Sequence, residues 1–310
     1  MGSAERELGI QQYNQQRYKD AIQTLRLAVK KNGKDYDAWY FLGLAQIKEK
    51  QLKDATSSFE AALKIDSNAA GAHTGLAYSL LLRNKMTEAL GEASAALAID
   101  PNIPDAHYVS GVARLRLGSR DAALTEAEAT IKLRPEFAPA YLLKSQALVS
   151  VFHDVVVADD LNVAGIDKER YRAAADALEK YLQILPNPPD KDTWVEQLES
   201  LRIMSNSYPK GAQDRIFSGK EVTTKVKVLT KPNPAYTERA RRNEVTGTIV
   251  LRCVFGFDGS VKHFVVVVGL PDGLIEESIR AARKIKFVPA TLNGRPVSMW
   301  MELQYNFELY

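Results

Sequence analysis

Four alanines, Ala21, Ala55, Ala89 and Ala123, stand 34 residues apart. Other columns keep the step: Gly9, Gly43, Ala77 and Gly111; Ala28, Ala62, Ala96 and Thr130; Gly33, Ser67, Pro101 and Pro135. Small residues at fixed offsets in a repeat of this length are the mark of stacked helix pairs, because they let two helix backbones approach closely. Such arrays bind partners and rarely carry chemistry. The step holds for four units, near residues 2–35, 36–69, 70–103 and 104–137, and then slips.

Each unit reads as two amphipathic helices. In the second, Trp39, Leu42 and Gly43 fall on the first helix and Ala55, Phe59 and Ala62 on the second. The turns Ile65-Asp66-Ser67-Asn68, Ile99-Asp100-Pro101-Asn102 and Leu133-Arg134-Pro135-Glu136 carry helix-ending chemistry. The first unit departs at its front, where Glu5 stands in the column that later holds Trp39. A fifth unit starts at Ala138, with Tyr141 in that column. Its second-helix alanine, expected at residue 157, falls at Ala174 instead, a 17-residue insertion near 149–170. The insertion contains Phe152-His153-Asp154-Val155-Val156-Val157 and Asp159-Asp160-Leu161-Asn162. It is too apolar to hang free in water; it either packs locally or grips a partner. His153 beside Asp154 has no third ligand in view and makes a poor metal site.

The repeat resembles the tetratricopeptide repeat family over residues 4 to 188. In that family the first helices line an inner groove. The columns expected there are Tyr40, Thr74, Tyr108 and Leu142, then Leu44, Tyr78, Val112 and Gln146. The Lys and Asn pattern with which one subgroup grips C-terminal carboxylates is missing. Tyr40, Leu44, Tyr78, Tyr108 and Val112 would favour an apolar or amphipathic peptide; packing between neighbouring helices is the other reading. After Asn187-Pro188-Pro189-Asp190, the stretch from Asp192 to Ser205 reads as a capping helix with Trp194, Leu198 and Leu201 on one stripe. The array is thus placed at 1–206, a linker at 207–222 and a second domain at 223–310.

From there the hydrophobic period changes from helix to strand. Thr248 to Phe257 alternates, Asp258-Gly259 signals a hairpin turn, and Val261 to Val268 returns. Asp272 to Lys284 reads as a helix and Tyr236 to Arg242 as a shorter one. In the last strand Val297, Met299, Met301, Leu303, Tyr305, Phe307 and Leu309 share one face, and Ser298, Trp300, Glu302, Gln304 and Asn306 the other. The expected fold is multidomain: an all-α solenoid, then a small α+β domain with a three-stranded antiparallel sheet and two helices on one face.

Residues 225–310 look like the TonB C-terminal domain family. The resemblance rests on Pro234-Ala235-Tyr236 with Ala240, Gly247-Thr248-Ile249-Val250, Asp258-Gly259-Ser260-Val261, Ala281-Ala282 through Phe287-Val288-Pro289-Ala290, and Asn293-Gly294-Arg295-Pro296-Val297. Many members carry proline where this chain has Thr237. The resemblance implies a periplasmic module that takes a short extended peptide from an outer-membrane transporter as an added strand. The last strand is the candidate edge, with Ser298, Trp300, Glu302, Gln304 and Asn306 beside the partner. A homodimer through that strand, or an edge covered by the array, stays open.

Bulk composition sets outer limits. The net charge of +3 does not suit a dedicated nucleic-acid binder. From Lys220 onward there are 14 Lys+Arg against 9 Asp+Glu, so the basic surplus sits in the C-terminal third. The single cysteine, Cys253, falls in an alternating apolar run and reads as a small buried hydrophobe. The longest apolar run, Phe264 to Leu270, is strand-sized and too short to span a bilayer. Met1-Gly2-Ser3 looks like a cloning scar, so a native leader or anchor is expected to have been removed. No nucleophile–base set, metal-spaced cluster or phosphate loop is visible: Gly256-Phe257-Asp258-Gly259 is a turn with no helix behind it, and the pairs Glu276-Glu277 and Asp159-Asp160 read as solvated. No cofactor is implied. The expected function is a non-enzymatic cell-envelope adaptor with protein or peptide partners; an assembly scaffold anchored or dimerised by its C-terminal domain is the alternative.

Overall fold

A computed structural model describes residues 4–156, 164–205 and 215–309. The chain divides into two compact units, Met1–Pro135 and Glu136–Tyr310. This division by packing falls well before the linker drawn from the sequence pattern. The insertion's Phe152 to Asn162 and residues 207–214 of the linker lie outside the described residues or side chains.

The first unit is four helix pairs: α1 (Ala4–Asn14), α2 (Tyr18–Lys31), α3 (Tyr36–Lys48), α4 (Leu52–Ile65), α5 (Ala70–Leu82), α6 (Met86–Ile99), α7 (Pro104–Arg116) and α8 (Arg120–Leu133). Ala21, Ala55, Ala89 and Ala123 are wholly buried, as are Ala28, Ala62, Ala96 and Thr130. The repeated step is therefore a packing constraint: these columns hold small, wholly buried residues between the paired helices. The tightest point is Phe59, wholly buried among Ala55, Leu76, Ala77, Leu80, Ala89, Ala93 and Val109. Its ring lies against the bare backbones of Gly43 and Gly75. A methyl at Gly43 would stand 2.8 Å from Phe59 Cζ, and one at Gly75 nearer still.

The turns repeat in chemistry as well as in length. Gln16, Lys50, Asn84 and Gly118, 34 apart, close the turn inside each pair with φ of 61°, 58°, 59° and 83°. Glycine suits that left-handed backbone, and only the fourth turn has it. Between pairs, the side chains of Asn32, Asp66 and Asp100 accept from the N–H of Lys34, Asn68 and Asn102 at 3.1, 3.0 and 2.9 Å. In the fourth unit that column holds Arg134, which instead donates twice to Asp105, at 2.9 Å each. A ring N–H at the head of each following first helix then satisfies a turn carbonyl. Trp39 Nε1 donates to Gly33 O (3.0 Å), His73 Nε2 to Ser67 O (3.2 Å) and His107 Nε2 to Pro101 O (2.9 Å). The other ring nitrogen of each histidine meets a carboxylate, Glu92 at 2.7 Å and Glu126 at 2.6 Å.

The second unit opens with α9 (Ala138–Val156), α10 (Ala164–Ile184) and α11 (Lys191–Ser205). Then come β1 (Ile216–Phe217), β2 (Lys227–Thr230), α12 (Glu238–Arg242), β3 (Gly247–Phe255), β4 (Val261–Val268), α13 (Leu274–Ala282), β5 (Lys286–Val288), β6 (Ala290–Leu292) and β7 (Arg295–Phe307). The expected antiparallel trio is present in the order β4-β3-β7. It is extended by β1, parallel to β7 at Ser298 and Met299, and by β6, antiparallel to β7 at Arg295, Pro296 and Val297. β2 and β5 form a separate two-stranded ladder. Thr237, in place of the family's proline, caps α12 by accepting from Ala240 N–H at 3.1 Å and donates to Asp272 O at 2.7 Å.

The two faces of the sheet are both covered, the second with help from helices that precede the β-strands in the chain. The face of Ile249, Leu251, Cys253 and Phe255 meets the domain's own elements, with Phe287 edge-on to Phe255 at 4.7 Å. The opposite face carries Arg252, which reaches Tyr171 of α10. α9 and α11 pack on β4. The helices that end the repeat pattern thus complete the core of the sheet.

Two glycine substitutions separate packing from helix propensity. Gly91, on α6, has nothing within 4 Å of an added methyl, so Gly91→Ala should raise stability by about 1 kcal/mol. Gly75→Ala should lower it by about 1–2 kcal/mol, because crowding of the immobile Phe59 ring outweighs the helix gain. Urea unfolding of the two variants checks both signs.

Candidate partner-binding interface

β7 pairs with the whole of β3, from Gly247 opposite Phe307 to Phe255 opposite Met299. Its other side is filled only at the start, by β6 and β1. From Trp300 to Phe307 that side has, among the described residues, no strand. Such a stretch offers backbone N–H and C=O groups to an added chain. One partner is in place: Lys231 Nζ donates to Gln304 O at 2.6 Å.

The far edge of the sheet is treated differently. β4 has β3 on one side only, yet Gln197 of α11, itself buried, accepts from Val266 N–H at 3.2 Å. Arg283 pairs with Glu196 of α11 and lies over the Phe264 ring at 5.6 Å. Phe264 to Val267 are buried. A side-chain amide takes one N–H of this edge, and α9 and α11 pack on the strand.

The five residues expected along the binding strand divide into two groups. Ser298 is buried, stands opposite Ile216 of β1, and its Oγ accepts from Phe257 N–H at 3.2 Å. Trp300 is half-buried opposite Val254. Glu302 holds the buried Arg252, with Nη2 at 2.5 Å and Nε at 3.1 Å. Burial works against the Arg252 charge, but Tyr171 and Glu302 more than offset this and hold its pKa above the ordinary arginine value. Gln304 and Asn306 are exposed, and Asn306 Oδ1 accepts from Thr248 Oγ1 at 2.9 Å. The alternation marks the faces of β7 correctly; on the face of the named residues Ser298 meets Phe257, and Glu302 meets Arg252, which reaches Tyr171 of α10. Cys253 is wholly buried, and burial raises its thiol pKa. Burial, with Cys253 beside it, pushes Tyr305 up to about 12.

On the first unit, Tyr40 lies parallel to Tyr36 at 5.9 Å and edge-on to Phe59 at 6.0 Å. It and Leu44 pack against the Phe59 cluster. Tyr78 is the most exposed of the expected groove residues on this unit, and Tyr108 and Val112 are half-buried. Burial, then Asp105, raises the pKa of both Tyr40 and Tyr78, so these groups share one stretch of surface. Thr74 Oγ1 donates to Ala70 O of its own helix at 2.8 Å. Leu142 and Gln146 belong to the second unit and are half-buried on α9. The residues expected in a groove thus lie partly in the core and partly at the surface.

Among the described residues no group of three His, Cys, Asp or Glu is placed to hold a metal, and no helix is long and apolar enough to cross a membrane. His153-Asp154 and Asp159-Asp160 fall outside the described side chains. Lys231, Gln197 and the Arg252–Tyr171 pair escape the sequence reading. They act across 73, 69 and 81 residues, and no local pattern marks them.

Family models match three stretches. Tetratricopeptide repeat models match residues 6–70 and 46–115, and the model of the Gram-negative bacterial TonB protein C-terminal matches residues 232–309. The chain carries tetratricopeptide repeats toward its N-terminus and a TonB C-terminal domain at its C-terminus. No curated relative matches it. Among solved structures it is similar to PilW, a widely conserved type IV pilus biogenesis factor, at 18% identity and TM-score 0.53, over 66% of this chain and 88% of that one. It is also similar to the MamA protein at 20% identity and TM-score 0.47, over 59% and 94%. A third is a thermophilic tetratricopeptide repeat protein of Thermus thermophilus, at 19% identity and TM-score 0.47, over 65% and 98%. The PilW likeness shows the helical fold alone; the other two carry no argument.

The Arg252 cluster holds α10 on the sheet, and its removal has a defined cost. Arg252→Met should destabilise the protein by about 3 kcal/mol, because it removes the cation that Glu302 and Tyr171 surround. Tyr171→Phe, which deletes one hydroxyl, should cost about 1 kcal/mol. Thermal unfolding of both variants gives the comparison, and equal losses would show that the charge carries no special weight.

Proposed function

We propose that this chain is a non-enzymatic adaptor of the bacterial cell envelope. Its repeats bind a protein or peptide partner, and its C-terminal domain takes an extended peptide, such as an outer-membrane transporter segment, as an added strand on β7. The observation that carries this is the asymmetry of the sheet: β4 is closed by Gln197, whereas β7 has no strand beside Trp300 to Phe307 among the described residues. Main-chain bonds along that stretch would give affinity and the alternating side chains selectivity. Gln304 and Asn306 would face the partner, Trp300 would flank it, and Ser298 and Glu302 would support the strand from within. On the repeats, Tyr40, Leu44, Tyr78, Tyr108 and Val112 would contact an amphipathic segment through their exposed edges. The match to a Gram-negative TonB domain supports a periplasmic setting.

Calorimetry of the full chain with synthetic peptides from transporter N-terminal segments tests strand addition. An unmodified peptide should bind, and methylating alternate backbone nitrogens should weaken it about a hundredfold, since several main-chain donors are lost at about 1 kcal/mol each. Methylating the peptide, in place of putting proline in β7, leaves the β3–β7 ladder whole. Equal binding of plain and methylated peptides would sink strand addition. Sedimentation of the unliganded protein distinguishes the scaffold reading, in which β7 would join a second copy.

A further inference from the structure

We infer that the open edge of β7 selects an acidic extended peptide, and that Lys231 is the residue that reads the acid. This rests on strand addition at β7 as proposed above, and adds the chemistry of the added strand.

Lys231 is exposed, yet it is held at the edge by two contacts. Its ammonium donates to Gln304 O at 2.6 Å and stands 4.6 Å above the centre of the Tyr305 ring. An edge lysine is a common guard against unwanted strand pairing. Here the guard occupies a backbone acceptor that an added strand would need. The incoming N–H must take over Gln304 O, and the ammonium must then find another partner. A carboxylate on the incoming strand supplies one in place; a neutral strand leaves the ammonium to water.

The surrounding charges point the same way. Lys225, Lys227 and Lys231 are all exposed, and the seven residues from Lys225 to Lys231 contain no acid. Arg295, at the head of β7, is exposed as well. The acid on this stretch of β7, Glu302, is engaged by Arg252. Glu308 stands exposed beyond the end of β7. The cation placed by contact against this stretch is Lys231, and its charge favours and steers an acidic partner. A second copy is the wrong occupant on the same ground. Edge-to-edge pairing about a two-fold axis would bring the two Lys225–Lys231 segments toward each other, like charge on like.

Three labelled nine-residue peptides of alternating valine and threonine, with Glu, Gln or Lys at the centre, test this by fluorescence anisotropy with the full chain. The Glu peptide should bind about five- to tenfold more tightly than the Gln peptide, the difference between a charge-assisted and a neutral hydrogen bond, and the Lys peptide should bind least. The Glu advantage should vanish in Lys231→Gln and shrink at high salt. Lys231 is exposed and outside the core, so Lys231→Gln retains the fold. Equal affinity for the Glu and Gln peptides, or a Glu preference that survives in Lys231→Gln, would overturn the role of Lys231 and leave strand addition standing. Failure of all three peptides to bind would remove strand addition and this inference with it. A β7-dependent dimer in sedimentation, displaced by none of the peptides, would make the second copy the occupant and overturn the acidic partner.

Discussion

A three-stranded sheet has two outer edges, and the backbone groups along each must find partners. The arrangement of the second unit follows from how they are found. At β4 the work falls to α11: Gln197, carried on a helix and wholly sheltered, accepts from Val266 N–H. At the start of β7 it falls to β1 and β6. Over the rest of β7 a flexible ammonium, from Lys231, takes one acceptor, Gln304 O, and among the described residues no strand takes the others. These solutions differ in how readily they reverse. A buried amide on a packed helix is fixed by everything around the helix. A lysine at the surface gives up one hydrogen bond and one ring contact to leave, and water can replace the bond. The sheet therefore has one edge that is closed for good and one that is closed only until something better arrives.

The first unit meets a comparable demand at its helix ends. Every second helix leaves carbonyls without partners, and every turn between pairs must reverse the chain in a few residues. The 34-residue step answers both with the same three columns. An Asn or Asp at 32, 66 and 100 folds the turn, and a ring N–H from Trp39, His73 or His107 takes the carbonyl at 33, 67 or 101. Both histidines then place a carboxylate on the remaining nitrogen, so Glu92 and Glu126 tie the second helix of each pair to the turn before its first. Repeated small residues bring the backbones together, and repeated donors fix the angle at which they leave the turn.

The small residues were legible because a packing constraint repeats wherever the packing does. Ala55 and Ala89 announce themselves by spacing alone. The donor columns carry the same step and could have been read from it; Trp39, His73 and His107 differ in type but share an N–H at one height on the ring. In the sheet, alternation placed Leu303, Tyr305 and Phe307 on the buried face, and the outward pair Gln304 and Asn306 on the other. It does not separate Glu302, which holds the buried Arg252, from the exposed Gln304 and Asn306, and the reason is physical. Alternation tells the two faces of a strand apart, but a polar residue beneath a helix looks the same in sequence as one in water. What decides between them is Tyr171, 81 residues from its partner Arg252.

The same limit explains why the period and the packing divide the chain at different places. By spacing, Tyr141 and Ala174 continue the array, and Trp194 to Leu201 closes it. By contact, these helices belong with the sheet: Ser145 Oγ ties α9 to α10 at Ala174 O, Tyr171 carries α10 onto Arg252, and Gln197 seats α11 on β4. A capping helix needs a polar outer face only if water lies beyond it. Here a sheet lies beyond it, and the outer face carries the groups that the sheet lacks. Cutting between 206 and 223 would separate two sequence patterns cleanly and would strip β4 of its edge and Arg252 of Tyr171. The smallest piece that keeps the sheet closed therefore begins within the repeats, and the side of β7 from Trp300 to Phe307 is left, among the described residues, as an edge that no strand of the chain seals.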